Sequence, residues 1–468
     1  MEDFRLRFVP LGGVVGVTKN MYLYELYKGR KLEDILIVDC GIGFPDSELE
    51  NINYIIPDIS YLLEKDPTSP NGLRRASKIR AIILSHGHED HTMAMPYHYR
   101  DLREPQVYTG KLTTAFVKND FKEFGLNIKI NEIDLYKTYT FGNFKVNFIR
   151  MTHSIPDTLH IFINTPVGNI YHGTDFKLDL TPPYGNPPDF HTISTLSSKG
   201  VLCLMSDCLG AETPGLTLSE SAVGESFDTE IKNTTGKFIM TTFSSNISRI
   251  RQCIEMSIKY QRKTVFLGRS MRENTEIAKQ IGYLPFKTNM FTDERSVRKA
   301  PPKKITLIVA GSQGQTNSAL NKLATDQNRN IKIGKGDKVV FSSDPIPGNE
   351  AEVYKLIEKL MIKGADVVYP DVKDRLHASG HGNQEDLKFL MCLVSAKNLI
   401  PIGGTIRHQR QYLKLAKQLS YPEQDVFLLN EGDSVWIDKD KMRTSEKIKT
   451  KNIYVSNQGL VSDKIALT

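Results

Sequence analysis

A short apolar segment, Ala81–Ser85, leads directly into the sequence His86-Gly-His88-Glu-Asp90-His91. An apolar run of this length is typical of a buried strand. Alternate strand residues point to the same side, so His86 and His88 lie together, and Asp90 and His91 follow where the chain turns into a helix. Imidazoles suit zinc, and an added carboxylate completes a neighbouring site. The segment therefore predicts a one- or two-metal site of the kind that serves phosphodiester hydrolysis.

Two further metal-competent side chains follow predicted strands downstream. His153 comes after Lys145–Ile149, and Asp175 comes after Asn169–His172. A lone histidine is more often structural, and an aspartate in a turn is more often a cap. In this order behind the first motif, however, the two side chains complete a metal-binding pattern.

The composition limits the class of protein. The chain has 468 residues, 40% of them hydrophobic and 25% charged, which indicates a globular protein of two domains or of one domain with an insertion. No apolar run approaches the ~18 residues of a membrane span, and the charged N-terminus lacks a signal-peptide core. We therefore expect a cytoplasmic protein with no membrane partner. The net charge of +7 permits a polyanionic partner without identifying one.

The five cysteines form no Cys-x-x-Cys pair, so reduced, buried thiols are expected rather than disulfides.

Strand patterns dominate the first 208 residues. From about residue 237 strands and helices alternate, which is typical of a parallel α/β layer. Asn398–Ile402, Asp425–Leu429 and Ser434–Ile437 are predicted as closing strands. The Lys-rich tail from Asp438 has little apolar pattern and is predicted to be a loose extension.

The metal-binding pattern resembles that of the metallo-β-lactamase superfamily. The matching positions form two ligand sets joined by a shared carboxylate, with one supporting aspartate. They are His86, His88 and His153 for the first zinc ion, Asp90 and His91 for the second, Asp175 for the bridge and Asp39 for the support.

A narrower resemblance, to ribonuclease J of the β-CASP group, covers the chain from about Phe8 to Ile437. The motifs that carry it are Thr152–Asp157, Phe243–Arg249, Gly268–Met271, Gly311–Gly314 and Ser379–His381. The resemblance implies an α/β fold: a metallo-β-lactamase αββα sandwich with an inserted β-CASP domain built on a parallel sheet. The implied segments are 1–208 and 371–440 for the sandwich, 209–370 for the β-CASP domain and 441–468 for a C-terminal extension.

The same resemblance implies a function. It implies a ribonuclease that cuts single-stranded RNA internally, or digests it from a 5′-monophosphorylated end, during RNA processing and decay. The implied cofactors are one or two Zn²⁺ ions, or Mn²⁺ or Mg²⁺, and the implied assembly is a homodimer. A lactamase-fold hydrolase of small molecules would not carry the inserted domain.

Roles at the site also follow from the resemblance. Asp90, Asp175 and His381 are the implied catalytic residues, with His381 touching the scissile phosphate. The implied substrate-binding residues are Ser379, Gly380, His377 and Ser312 near the phosphate, and Arg249 and Arg269 along the RNA backbone. For the two arginines, surface salt bridges are an equal alternative.

One position departs from the family pattern. Ribonuclease J has a last zinc-ligand histidine where this chain has Gly403. Two interpretations follow. In the first, the chain is a working nuclease in which water, a weaker ion or His408 fills the gap. In the second, it is a catalytically weakened member that binds RNA or a partner subunit. The intact first motif favours the enzyme. Because the chain stops at Thr468, a short form without the family's C-terminal domain is expected.

Overall fold

The computed structural model describes residues 3–45, 49, 51–69, 71–346, 348–372, 375–456 and 459–461. In this part of the chain the strands are β1 (Phe4–Gly12), β2 (Met21–Lys28), β3 (Lys31–Val38), β4 (Ile52–Ile56), β5 (Ile79–Ile83), β6 (Val107–Thr109), β7 (Ile130–Glu132), β8 (Thr138–Phe141), β9 (Phe144–Arg150), β10 (Leu159–Asn164), β11 (Asn169–Gly173), β12 (Cys203–Asp207), β13 (Phe238–Thr241), β14 (Lys263–Leu267), β15 (Ile305–Val309), β16 (Lys338–Phe341), β17 (Asp366–Val368), β18 (Asn398–Ile402), β19 (Val435–Ile437), β20 (Met442–Thr444), β21 (Ile453–Ser456) and β22 (Gly459–Val461). The helices are α1 (Ser60–Leu63), α2 (Glu89–Thr92), α3 (Met95–His98), α4 (Lys111–Glu123), α5 (Phe190–Ser197), α6 (Glu220–Lys232), α7 (Ile247–Lys259), α8 (Arg269–Gln280), α9 (Ala319–Ala324), α10 (Glu350–Ile362), α11 (Gln384–Val394) and α12 (Ile406–Gln418).

Two sheets face each other and form the predicted sandwich. Within the described residues one has eight strands in the order β20-β19-β1-β2-β3-β5-β6-β7, and the other has six in the order β18-β12-β11-β10-β9-β8. Alternate residues such as Phe8, Tyr24, Phe148 and Ile161 fill the core between them. Helices α3 and α4 cover the outer face of the first sheet, and α5, α11 and α12 cover that of the second. The predicted αββα layering is confirmed.

A third sheet has the order β14-β15-β13-β16-β17, and all its strand pairs are parallel. Helices α6, α7 and α8 pack on one face, and α9 and α10 pack on the other. The near-continuous apolar strands, such as Ile305–Val309, are buried on both faces, as parallel strands are. The predicted parallel α/β domain is therefore confirmed, whereas its boundaries at 209 and 370 stay a prediction.

Two expectations for the C-terminal part were wrong. Asp425–Leu429 is not a strand, because only Val426 pairs, at a single position opposite Leu399. The tail is not loose as far as it is described: β20 extends the eight-stranded sheet, and β21 pairs with β4. Ile448 and Val455 are buried in the core beneath, so a few apolar residues anchor this Lys-rich segment. Residues 457–458 and 462–468 of the predicted extension lie outside the described residues.

All five cysteines are free, as expected, although Cys392 is exposed and the expectation of burial was wrong for it. Among the described residues, no helix combines the length and the apolar character that a membrane crossing requires.

Candidate metal centre

The candidate metal ligands lie at one edge of the sandwich, and each follows a strand. His86 and His88 come after β5, His153 comes after β9, and Asp175 comes after β11. His88 immediately precedes helix α2, and the first turn of that helix carries Asp90. Because the ends of these strands lie close together, side chains that are distant in the sequence meet at one place.

The first ligand set is compact. His88 Nδ1 lies 3.1 Å from His86 Nε2 and 3.2 Å from His153 Nε2. Asp175 Oδ2 completes the group at 3.8 Å from His86 Nε2 and 3.7 Å from His153 Nε2. Tetrahedral zinc with Zn–N bonds of 2.0–2.1 Å places neighbouring nitrogens about 3.3 Å apart. Burial lowers the pKa of His88 to about 3, so its imidazole is in the neutral form that binds metals. These four residues fit one zinc ion.

The second candidate set shares Asp175 with the first. His91 Nε2 lies 3.3 Å from Asp175 Oδ2 and 3.7 Å from Asp90 Oδ2. Burial alone would lower the pKa of His91, but the carboxylates of Asp175, Asp90 and Asp39 outweigh it and raise that pKa well above the ordinary value. This concentration of carboxylates attracts cations, and Asp90, His91 and Asp175 fit a second ion of mixed nitrogen and oxygen ligation.

Neighbouring polar groups hold the imidazoles in place. Asp39 Oδ2 accepts a hydrogen bond from His91 Nδ1 at 2.8 Å, and Asp39 Oδ1 accepts one from the Ser85 amide at 2.7 Å. His153 Nδ1 donates to the carbonyl of Gly380 at 2.6 Å. Such partners fix which ring nitrogen faces the metal. Asp39 thus lies where its supporting role requires.

His381 faces the same centre from a different segment. Its Nδ1 donates to Asp207 Oδ2 at 2.8 Å, and its Nε2 lies 4.0 Å from Asp175 Oδ2. Burial alone would lower the pKa of His381, but Asp207 and Asp175 raise it to about 9. A cationic imidazole in this position suits a phosphate oxygen.

Sequence reasoning gave no role to Asp207, which orients His381. A usable signal was present, because Asp207 ends β12, and β12 lies between β11 and β18 in the parallel part of the six-stranded sheet. The carboxyl ends of neighbouring parallel strands lie together and form binding crevices. The same edge carries Asp175 after β11 and Gly403 after β18.

Gly403 borders the second ligand set, as the family pattern implies. A Cβ atom on it would lie 3.5 Å from Asp207 Oδ1 and 3.7 Å from Asp175 Oδ1, and its φ is +66°. His408 does not fill this place, contrary to one of the options drawn from the sequence. Its Nδ1 caps helix α12 by accepting from the Thr405 amide at 3.1 Å, and its Nε2 lies 3.5 Å from Glu212 Oε2.

The structure contradicts a substrate-binding role for Arg249. This side chain is fully buried, and its five N–H donors go to Glu220 (twice), Ser342 O, Ala378 O and His377 Nδ1. No donor is left for a phosphate. The same network includes His377, whose other ring nitrogen lies 3.2 Å from Asp344 Oδ2, and a substrate-binding role for His377 stays a prediction.

The other predicted substrate residues differ in exposure. Gly380 packs against the His153 ring, where a Cβ would lie only 2.7 Å from Cε1. Ser379 Oγ accepts from the His381 amide at 3.1 Å. Ser312 is buried in the turn after β15. The Arg269 side chain is 77% exposed and pairs with Glu123 and Glu273.

A cavity of about 860 Å³ opens between the sandwich and the parallel sheet beside the metal centre. Glu89, which adjoins His88 and Asp90, lines it from one side. Its basic lining residues, all from the parallel-sheet domain, are Arg269, Arg272, Lys322 and Arg329. With four basic side chains against Glu89 and Glu294, the cavity is a net-positive cleft, and Glu89 is its lining residue nearest in sequence to the candidate metal ligands.

The fold and this centre define the class: a metallo-β-lactamase fold with a β-CASP domain. Residues 36–182 match the model of the beta-lactamase superfamily domain, and residues 235–360 match that of the ribonuclease J beta-CASP domain. A solved protein of unknown function from Enterococcus faecalis has the same fold, with a TM-score of 0.64 and 16% identity, over 92% of this chain and 100% of that one.

Individual relatives identify the family within this class. The chain is 35% identical to ribonuclease J2 of Bacillus subtilis, in a match that covers 97% of this chain and 79% of that protein. It is 36% identical to ribonuclease J of Helicobacter pylori, in a match that covers 98% of this chain and 64% of that protein. Ribonuclease J of Thermus thermophilus is 33% identical over 97% and 78%. The chain belongs to the ribonuclease J family.

Proposed function

We propose that this chain is a metal-dependent ribonuclease that hydrolyses phosphodiester bonds of single-stranded RNA, internally or from the 5′ end. The observation that carries the proposal is the convergence of two candidate ligand sets on Asp175 at the side of a cationic cleft. Membership of the ribonuclease J family supports it.

The proposed metal ligands are His86, His88, His153 and Asp175 for one Zn²⁺, because three neutral imidazoles and a carboxylate suit that ion. Asp90, His91 and Asp175 are proposed to hold a second ion, Zn²⁺ or the more oxygen-seeking Mn²⁺ or Mg²⁺. When bound, such ions stabilise the charge on the attacking and leaving oxygens of the phosphodiester.

The chain's own groups position the reactants. Asp90, whose side chain is partly exposed, is proposed to orient the attacking water. His381, held by Asp207, is proposed to donate a hydrogen bond to a phosphate oxygen and to stabilise the charge that develops there. Ser379 and Gly380 lie in the same loop and would offer backbone N–H groups to the next phosphate.

Further along the strand, Arg269 in the cleft and the turn that contains Ser312 are proposed to contact the RNA backbone. The family resemblance supports a substrate with a 5′-monophosphate, a homodimer as the working assembly, and action in the cytoplasm during RNA processing and decay.

The test is cleavage of a 5′-labelled single-stranded RNA with Zn²⁺ or Mn²⁺ present. We expect fragments with 5′-phosphate and 3′-hydroxyl ends, and a loss of at least about a hundredfold in His88→Ala, since a first-set ligand is removed. Lys145→Gln, an exposed change on the six-stranded sheet, is the control. Equal cleavage by wild type and His88→Ala would reject the proposal.

Gly403 favours a second candidate function, in which the chain binds RNA or a partner nuclease and cuts weakly. Among the residues that the structure describes, the ligand set for a second ion consists of Asp90, His91 and Asp175. The complete first ligand set argues against this candidate. Tight RNA binding without turnover in the same assay would favour it.

A further inference from the structure

A second basic cavity lies at the other end of the parallel sheet. It has a volume of about 530 Å³, and its charged lining residues are Lys237, Lys303, Lys332, Lys335 and Asp337. The lining segments directly precede β13, β15 and β16, so the cavity lies at the amino-terminal edge of the sheet. The catalytic cleft borders the carboxyl edge, where Gly268 and Gly311 follow β14 and β15. The strands between the two edges are four or five residues long, which separates the edges by about 15 Å.

A buried cation lies under this cavity. Arg262 is 5% exposed, and its guanidinium donates to the carbonyls of Gly236, Ile305 and Thr234. In the described part of the chain it has no carboxylate partner. Its charge therefore remains uncompensated next to the lysines, and a charge in a poorly hydrated environment acts over a longer range than one in water.

The lysines around the cavity are only partly neutralised. Lys237 pairs with Asp337 at 2.7 Å, and Lys332 lies 3.6 Å from Asp326. Lys303 and Lys335 are exposed, and their side chains have no ionic partner among the residues that the structure describes. The glycine-containing segment Gly334–Gly336 lets the backbone form part of the wall. The cavity is a concave, net-positive surface that suits phosphate groups.

We propose that this cavity is a phosphate-binding exosite that holds the backbone of an RNA strand outside the catalytic cleft. The proposal rests on the proposed ribonuclease function for its choice of RNA over other polyanions. The exosite would increase affinity for long RNA without contributing to the bond-breaking step. The two cavities approach each other along residues 330–332, because Asn330 lines the cleft and Lys332 lines the exosite, so an RNA must extend beyond the cleft to reach Lys303 and Lys335.

The test compares Lys303→Gln/Lys335→Gln with the matched control Lys145→Gln/Lys199→Gln, which removes two exposed lysines from the six-stranded side of the sandwich. Binding of a long single-stranded RNA is measured over a range of salt concentrations with the metals chelated, so that the result does not depend on cleavage. We expect the exosite variant to bind long RNA about tenfold or more weakly at low salt, and the slope of log K against log salt to fall by about 1.4. The control is expected to behave as wild type.

Three results would overturn the exosite: an unchanged salt slope, an equal loss in the control variant, or an equal loss for a short oligonucleotide that only fills the cleft. Competition by inorganic phosphate or a mononucleotide as strong as that by long RNA would assign the cavity to a small anion instead. Competition by an acidic peptide but not by RNA would assign it to a protein partner. If long RNA binds through these lysines but is never cut, the proposed function fails and the exosite stands.

Discussion

Gly403 lies beside the second candidate ligand set, and we expect it to weaken the binding of a second metal ion because it offers no side-chain ligand. The carboxyl ends of β11 and β12 supply Asp175 and Asp207, whereas β18 is followed by Gly403, a residue without a side chain. A Cβ there has only ordinary van der Waals neighbours, so the position accepts a Cβ atom without a clash. The left-handed φ of +66° is one that histidine tolerates better than bulkier or β-branched residues do.

Gly403→His should therefore raise the amount of the second metal. We expect the variant to retain nearly two ions per chain after dialysis against a weak chelator where wild type retains close to one, measured by elemental analysis. Positive φ costs about 1–2 kcal/mol, so without metal the variant should unfold at a slightly lower temperature. Gly282→His, at an exposed turn with φ of +92° and open space around it, is the matched control. Equal metal content in wild type and Gly403→His would mean that another group already completes the site.

Arg249 is a second single residue that bears on the candidate site, but it does so through the residues that it contacts. It joins Glu220, which also pairs with Lys177 at 3.1 Å, to the carbonyl of Ala378. Lys177 lies two residues after Asp175, and Ala378 lies three residues before His381. The buried chain Lys177–Glu220–Arg249 thus ties the segment of a candidate metal ligand to the loop of the candidate phosphate contact.

Arg249→Lys keeps the charge but supplies three donors instead of five. We expect kcat to fall about tenfold or more, because the loop loses hydrogen bonds worth about 1.5–3 kcal/mol, while KM and metal content stay close to wild type. The control is Arg251→Lys. Arg251 lies on the same helix but forms a partly exposed ion pair with Glu255. A change in KM alone would contradict a positioning role and restore the contact with RNA that the sequence suggested.

At the scale of elements, the apolar and polar periodicity was enough to predict most strands of the sandwich and the alternation of strand and helix in the parallel domain. The predictions failed where tertiary contacts, rather than the local sequence pattern, determine the structure. Asp425–Leu429 has strand composition but pairs at one position only, and the tail is anchored to the core by a few separated apolar residues, Met442, Ile448, Ile453 and Val455. Likewise, the sequence alone does not distinguish an RNA-binding Arg249 from a structural one. Its burial in the structure does.

Helices α4 and α8 bring acidic groups together where the two domains meet. Asp120 on α4 faces Glu89 and Glu123 of its own domain and Glu273 of α8, and Arg269 pairs with both Glu123 and Glu273. Burial, followed by the three neighbouring carboxylates, raises the pKa of Asp120 to about 8 from its ordinary value of 3.8. The folded protein therefore holds this proton more tightly than the unfolded chain does.

A raised carboxyl pKa gives stability that is present at low pH and is lost as the pH rises towards about 8. Asp120→Asn cannot lose a proton, so its free energy of unfolding should exceed that of wild type by a margin that grows between about pH 4 and pH 8. Urea unfolding at several pH values measures this. Asp134→Asn is the opposite control, because hydrogen bonds from the Tyr136 amide and Lys137 lower the pKa of that exposed carboxyl. A margin independent of pH would show that Asp120 is not protonated in the folded state.

For the molecule as a whole, the candidate centre depends on the assembly of both domains. Its imidazoles and carboxylates follow strands of both sheets of the sandwich, and Asp207 and His381 flank the inserted domain in the sequence. No local segment other than His86–His91 holds more than one of these groups. That is why the sequence predicted the chemistry of this segment directly, and Gly403 through the family resemblance, whereas the role of Asp207 required the packing of β11, β12 and β18.

Metal removal should consequently lower the stability of the whole sandwich rather than of one loop. An ion present at a thousand times its dissociation constant adds about 4 kcal/mol to the folded state. Chelation should therefore lower the melting temperature of wild type by several degrees in calorimetry, and re-addition of Zn²⁺ should restore it. His88→Ala should melt at the lower temperature with or without chelator, because its first ligand set is incomplete. If His88→Ala responds to the chelator as strongly as wild type does, the stabilising ion is bound elsewhere, and the assignment of His86, His88, His153 and Asp175 to a metal is wrong.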